Sequence, residues 1–228
     1  MNKGFISVAC FLFASVVHAD TTLRELYSVE QSQWPAIMTA KETPAAPLKP
    51  LKAKPFNQSD EIIALGEKLF NDTRLSRDNT VSCASCHESR LAFTDRRKLA
   101  VGIDGQVGTR NTQAIIGIDH WQTFFWDGRA KTLEEQASFP IFNPNEMAMI
   151  SEDEVIIRLK SIGYLSDFQH AFPRQASPIN IDNISNALAS FQRTLLSDDR
   201  FDKYLQGDLN AINNEEKMGL ITFISKGC

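Results

Sequence analysis

Cysteine is scarce in this chain: four in 228 residues, beside three Tyr, three Trp, 11 Gly and nine Pro. So few thiols exclude a disulfide-dense scaffold, and their positions, Cys10, Cys83, Cys86 and Cys228, matter more than their number. An excess of positive charge is also lacking. Lys plus Arg total 24 against 28 Asp plus Glu, a net charge of −4, and no basic run exceeds Arg96-Arg97-Lys98, which argues against an electrostatic grip on nucleic acid. The apolar run from Phe5 to Val17 is about 13 residues against the roughly 20 that a bilayer core needs, and nothing later is longer, so no integral membrane span is expected. Alternating strand patterns and internal repeats are missing as well. What remains, 43% apolar and 23% charged residues, is an ordinary globular composition with length for one large or two small cores.

The beginning of the chain reads as a leader. Lys3, the short apolar run and small residues at the −3 and −1 positions of Val17-His18-Ala19 predict a secretory signal over 1–19 and hence export, to the periplasm. Residues 20–58 have little helical rhythm, and Pro44, Pro47, Pro50 and Pro55 predict an extended arm. Helical periodicity then begins: behind Ser59 as N-cap, Ile62, Leu65, Gly66, Leu69 and Phe70 share one face. From Asn71 to Arg129 no period is sustained, which predicts a long functional loop wrapped around something. Capping boxes at Thr132/Glu135, Ser151/Glu154 and Asn213/Glu216 start further helices, and Ile184, Leu188, Phe191 and Leu195 form an apolar stripe on a helix over about 182–196. The predicted class is all-α with long loops.

Within the long loop stands Cys83-Ala84-Ser85-Cys86-His87, the C-x-x-C-H attachment pattern for c-type haem. Two thiols at this spacing can form thioethers with the two vinyl groups, and the adjacent His is then held under the iron. A redox dithiol or half of a zinc site would read similarly, but the pattern arises by chance in only about one chain in a thousand of this composition. Export favours haem, and no second Cys pair completes a zinc site. The sixth iron position separates an electron carrier from a haem that binds peroxide, and His120, His170, Met147, Met149 and Met218 are the ligand types that follow His87.

Leu75-Ser76, Val81 to His87, Ala92-Phe93-Thr94-Asp95, Val101-Gly102, Arg110-Asn111-Thr112, Phe125-Trp126-Asp127-Gly128-Arg129-Ala130, Glu135-Gln136-Ala137, Asn143-Pro144-Asn145-Glu146-Met147 and Phe191-Gln192-Arg193-Thr194 together resemble the bacterial dihaem cytochrome c peroxidases and their MauG-type relatives, in order from about Asp60 to Cys228. The resemblance implies a cytochrome c-like haem domain over 59–212 and, over 213–228, the beginning of a second cytochrome c-like domain, with Cys228 as the first Cys of a second haem motif in a chain cut there. It implies that Cys83, Cys86 and His87 carry the peroxidatic haem. Glu146 is then the distal carboxylate that moves the peroxide proton, Gln136 the amide that orients peroxide, and Trp126 the stepping stone between two covalent haem c groups. Asn111 would help hold a calcium ion. Many relatives carry a His sixteen residues after the proximal one; here that position is Ile103, which cannot bind iron, and an open haem is expected.

The expected function is a periplasmic peroxidase that reduces hydrogen peroxide to water with electrons from a small donor protein, a c-type cytochrome or cupredoxin. Two alternatives stand beside it. One is a MauG-like haem oxidase acting on Trp or Tyr of a partner protein; the other is an electron-transfer cytochrome with Met147 as sixth ligand. A homodimer is an allowed assembly.

Overall fold

The computed structural model describes residues 25, 27–34, 48–52, 56–196 and 199–225, so the expected signal, most of the arm, and Cys10 and Cys228 lie outside the described residues. The chain divides into two compact units, Lys52–Ser197 and a second formed by Met1–Leu51 with Asp198–Cys228.

The larger unit is helical, as its periodicity predicts. Helix α1 (Asp60–Asn71) starts where Ser59 accepts the Ile62 N–H, carries Asp60 and Glu61 in its first turn and Lys68 in its last, and buries Leu65, Gly66, Leu69 and Phe70. The C-x-x-C segment forms a four-residue helix α2 (Cys83–Cys86), then a loop runs to α3 (Leu133–Phe142), α4 (Glu152–Ser161), α5 (Leu165–Ala171) and α6 (Ile181–Arg193). Thr132 and Ser151 cap α3 and α4, and Glu135 and Glu154 reach back to the N–H groups of Lys131 and Ile150. Helix α6 ends at Arg193, short of the expected 196, and Leu195 is only partly buried. The short helix α5 was not legible as a periodic element, because seven residues give too little pattern.

Helices α1 and α6 form the centre of the core. Gly66 lets them meet at backbone distance: a Cβ there would stand 1.9 Å from the Ala187 carbonyl oxygen. Phe70 packs on Phe191 at a ring separation of 5.1 Å and extends to His87 at 6.3 Å, so core packing continues into the C-x-x-C-H segment. Fully buried Tyr164 donates its hydroxyl to Asp72 at 2.8 Å, and Arg74 pairs with the same carboxylate. The Arg74 hydrogen bond outweighs the opposing effect of burial and holds the Asp72 carboxyl down at about 2. Arg158 donates to the carbonyl of Ser76 at 2.8 Å and to Asn79 Oδ1 at 3.0 Å, fixing the turn that precedes the motif. Among the described residues, the segment between α1 and α3 holds only short helical turns, α2 and three isolated antiparallel bridges, which agrees with the loop expected from its composition.

The smaller unit contains α7 (Arg200–Leu205) and α8 (Asn214–Ser225). Asn213 and Glu216 form the reciprocal capping box foreseen for α8. Tyr27, Tyr204, Leu205, Ile212, Leu220 and Ile221 make its core, with Trp34 against Tyr204 at 5.4 Å. Within the arm expected to be extended, Gln31–Gln33 forms a single 3-10 turn, because burying Tyr27 and Trp34 on one core requires the chain to bend. No helix among the described residues is long and apolar enough to cross a membrane.

Candidate functional site

A single turn of helix builds the thiol pair. Ser82 donates its N–H to Ser85 Oγ at 3.0 Å, the chain winds through α2, and the His87 N–H closes the turn on the Cys83 carbonyl at 2.9 Å. Residues three apart on such a turn lie on one face, so Cys83 and Cys86 both border the same space as His87. Both thiols are free. Burial pushes the Cys83 thiol up to about 12 and the Cys86 thiol up to about 11. Neutral, buried thiols are poor redox nucleophiles, which weighs against a dithiol reading.

The imidazole is aimed by a strained loop. Ala92 and Phe93 both adopt left-handed φ values, 57° and 56°, each costing about 1–2 kcal/mol for a residue with a side chain. That bend presents the Phe93 carbonyl 3.0 Å from His87 Nδ1. With Nδ1 donating its proton there, Nε2 keeps a lone pair, the state a metal-binding imidazole needs. Burial also lowers the His87 pKa, which disfavours the imidazolium that could not bind a metal.

These groups face a cavity of about 450 Å³. Asn111, Trp126, Gln136 and Glu146 line it too, so the structure brings the motif and all the sequence-derived candidates among the described residues to one place. Trp126 stands at the surface, 58% exposed, its indole N–H on the Asn111 carbonyl at 2.8 Å. The Asn111 amide donates to the Arg97 carbonyl. Among the described residues no group of three or more His, Cys, Asp or Glu is close enough to hold a metal ion, so the calcium inferred from resemblance has Asn111 as its sole named ligand. Met147 borders the cavity; Ile103 and Met149 are buried in the core away from it.

The residues present fit a covalent haem. The walls are largely apolar, with Phe70, Ile115, Trp121, Phe124 and Leu188, and the two thiols and the prepared Nε2 converge on that space. Thr112 Oγ1 is buried in the same wall with no hydrogen-bond partner among the described residues. Such an orphan costs about 1–3 kcal/mol unless a bound group satisfies it.

Glu146 is held by its own turn. Its N–H and that of Ala148 bond to the Asn143 carbonyl, each at 3.0 Å, and the Asn143 side chain donates to Glu146 Oε1 at 2.7 Å. Asn143 Oδ1 is already taken by the Asn145 N–H at 3.0 Å, which fixes which end of the amide meets the carboxylate. Burial pushes the Glu146 carboxyl above its usual value, overcoming the opposing pull of the Asn143 hydrogen bond and the Arg129 charge. Asn143 and Arg129 were not singled out from the sequence. A signal for Asn143 was available, because an amide three residues before a carboxylate in one turn is within hydrogen-bonding reach.

The segment containing Ile103 buttresses this turn. Ile103 is fully buried and donates its N–H to the Glu146 carbonyl at 2.9 Å. A Cβ on Gly102 would lie 2.1 Å from the Asn145 carbonyl oxygen and 2.7 Å from Glu146 Cα. Gly102→Ala is therefore expected to displace the Glu146 turn and lower stability by about 1–3 kcal/mol in urea unfolding. An unchanged midpoint would mean that the contact yields without cost.

The comparisons with known proteins agree with this geometry. The model of the di-haem cytochrome c peroxidase family matches residues 60–210. The chain is 38% identical over 192 residues to cytochrome c peroxidase Ccp of Escherichia coli K12, covering 83% of this chain and 40% of that protein. It is 43% identical over 180 residues to the methylamine utilization protein MauG of Methylorubrum extorquens, covering 78% of this chain and 50% of that one. Among solved structures, a MauG-like protein associated with microbial copper homeostasis superposes with a TM-score of 0.69 at 33% identity, over 82% of this chain and 55% of the other. This chain thus spans about half the length of these relatives or less. From residue 60 to residue 210, and through a cavity shaped for a covalently held haem, the chain belongs to the di-haem cytochrome c peroxidase family.

Proposed function

We propose that this protein is an exported haem peroxidase that reduces hydrogen peroxide to water with electrons from a small reduced protein such as a c-type cytochrome. The observation that carries this reading is the sharing of one cavity by Cys83, Cys86, the prepared imidazole of His87 and a carboxylate, Glu146, whose pKa burial has raised. A c-type haem joined to Cys83 and Cys86, with His87 as its iron ligand, supplies the redox centre for the reduction.

The chain's own side chains supply the rest. Asn143 occupies Glu146 Oε1, which leaves Oε2 to accept a proton from one peroxide oxygen and return it to the departing one. Its raised pKa suits both halves of that exchange. Gln136, on the α3 face toward the cavity, offers an amide to orient the peroxide. Trp126 carries electrons inward from the exposed rim, and the apolar wall excludes bulk water.

A second reading is supported by the 43% identity to a MauG protein and by Ile103 at the position of the expected switching His. In it the same site draws its electrons from Trp or Tyr side chains of a partner protein. Mixing the haem-loaded full-length protein with peroxide and a reduced small c-type cytochrome tests the choice. Two cytochromes oxidised per peroxide are expected. Oxidation of protein Trp or Tyr without cytochrome turnover would select the MauG-like reading, whereas a low-spin spectrum with a Met-to-iron band and no reaction with peroxide would make this an electron carrier.

A further inference from the structure

Helix α3 has a second cleft on its other side, about 810 Å³ in volume. Gln136, Ala137 and Pro140 face the His87 cavity, while Glu135, Ser138, Phe139 and Phe142 face the outer cleft. The two spaces share a wall of four side chains: Phe125, Arg129, Asn143 and Glu146. In that wall the Arg129 guanidinium lies 3.4 Å from the Phe125 ring centre and 5.8 Å from that of Phe139. Glu146 is therefore bordered from both sides.

The cleft has the make-up of a small-molecule site. Phe139, Phe142 and Ile181 form an apolar wall that ends at the polar pair Asn143–Glu146. Glu134, Glu135, Glu152 and Asp182 also line it, so acidic groups outnumber the cation Arg129 and an anion is disfavoured. Size matters too: a molecule of two oxygens needs little more than the roughly 30 Å³ of a water. A cleft of 810 Å³ lies in the range of about 300–1,000 Å³ typical of pockets for larger organic ligands.

We propose that this cleft binds uncharged organic hydroperoxides, with the apolar substituent against Phe139, Phe142 and Ile181 and the peroxide end at Asn143 and Glu146. The proposal rests on the reading that Glu146 moves the peroxide proton. In the reaction the O–O bond breaks, two electrons from the reduced donor cytochrome and two protons are taken up, one proton through Glu146, and an alcohol and a water leave.

The test compares cumene hydroperoxide with hydrogen peroxide on the haem-loaded full-length protein, in wild type, Ser138→Trp, which fills the cleft, and Ser138→Ala, which does not. Wild type and Ser138→Ala are expected to turn over both peroxides. Ser138→Trp should lower kcat/KM for cumene hydroperoxide by about 10-fold or more, the scale of a lost pocket fit, and that for hydrogen peroxide by less than about threefold. A crystal soaked in cumyl alcohol should show the alcohol against Phe139 and Phe142. Wild type that reduces hydrogen peroxide but not cumene hydroperoxide, equal slowing of both substrates by Ser138→Trp, or the alcohol seated elsewhere would overturn the inference alone. No reaction with either peroxide, or full activity in Glu146→Gln, would overturn the peroxidase reading on which it stands.

Discussion

Glu146→Gln is expected to slow peroxide cleavage by about 10²-fold or more while leaving the resting absorption spectrum as in wild type. The amide keeps the shape and can still meet Asn143, but it can no longer accept a proton at Oε2. The pH profile gives a second readout. Because burial raises the Glu146 pKa, the carboxylate protonates above the ordinary carboxylate range, and kcat/KM for peroxide should fall as pH drops through that raised value. The acid limb should be present in wild type and missing in the Gln variant. Rates within a few-fold of wild type, with the limb intact, would assign the proton transfer to another group.

The largest stability effect is expected from Gly66→Ala. In a solvent-facing helix that change would stabilise by about 1 kcal/mol. Here the new Cβ meets the Ala187 carbonyl oxygen at 1.9 Å, its carbon at 2.6 Å and Phe191 Cβ at 2.9 Å. Two of the three obstacles are backbone, so no rotamer change relieves them and α1 must move away from α6. A net loss of about 3 kcal/mol is expected, at the upper end for overpacking, read as a lower urea midpoint. Gly219 in α8 is the control, with nothing within 4 Å of its would-be Cβ, and Gly219→Ala should not destabilise. Equal midpoints for wild type and Gly66→Ala would show that the helix contact is not as close as described.

Much of this was legible along the chain. Ser59, Thr132, Ser151 and Asn213 announced four helix starts, because a cap and its partner are three residues apart and need nothing distant. The C-x-x-C-H spacing was readable for the same reason: a single helical turn fixes the thiols and the imidazole relative to one another. Motifs such as Phe125-Trp126-Asp127-Gly128-Arg129 and Asn143-Pro144-Asn145-Glu146-Met147 carried the family. Helices α5 and α7, seven and six residues long, were missed because so short a stretch holds no measurable period.

The four Cys that opened the reading, and the shortage of everything that would suggest strands, nucleic-acid binding or a membrane span, were enough to set the all-α class and to single out one covalent haem motif. Tertiary structure alone decided how the distant candidates meet. His87 and Glu146 are 59 positions apart, and only the packing of α3 over α1 and α6 encloses them in one cavity. The carbonyl that frees His87 Nε2, the burial that raises the Glu146 pKa, the orphaned hydroxyl of Thr112 and the second cleft behind α3 are likewise properties of that enclosure. The physical reason is that desolvation and long-range contact depend on what surrounds a group in space, and a linear sequence records only its neighbours along the chain.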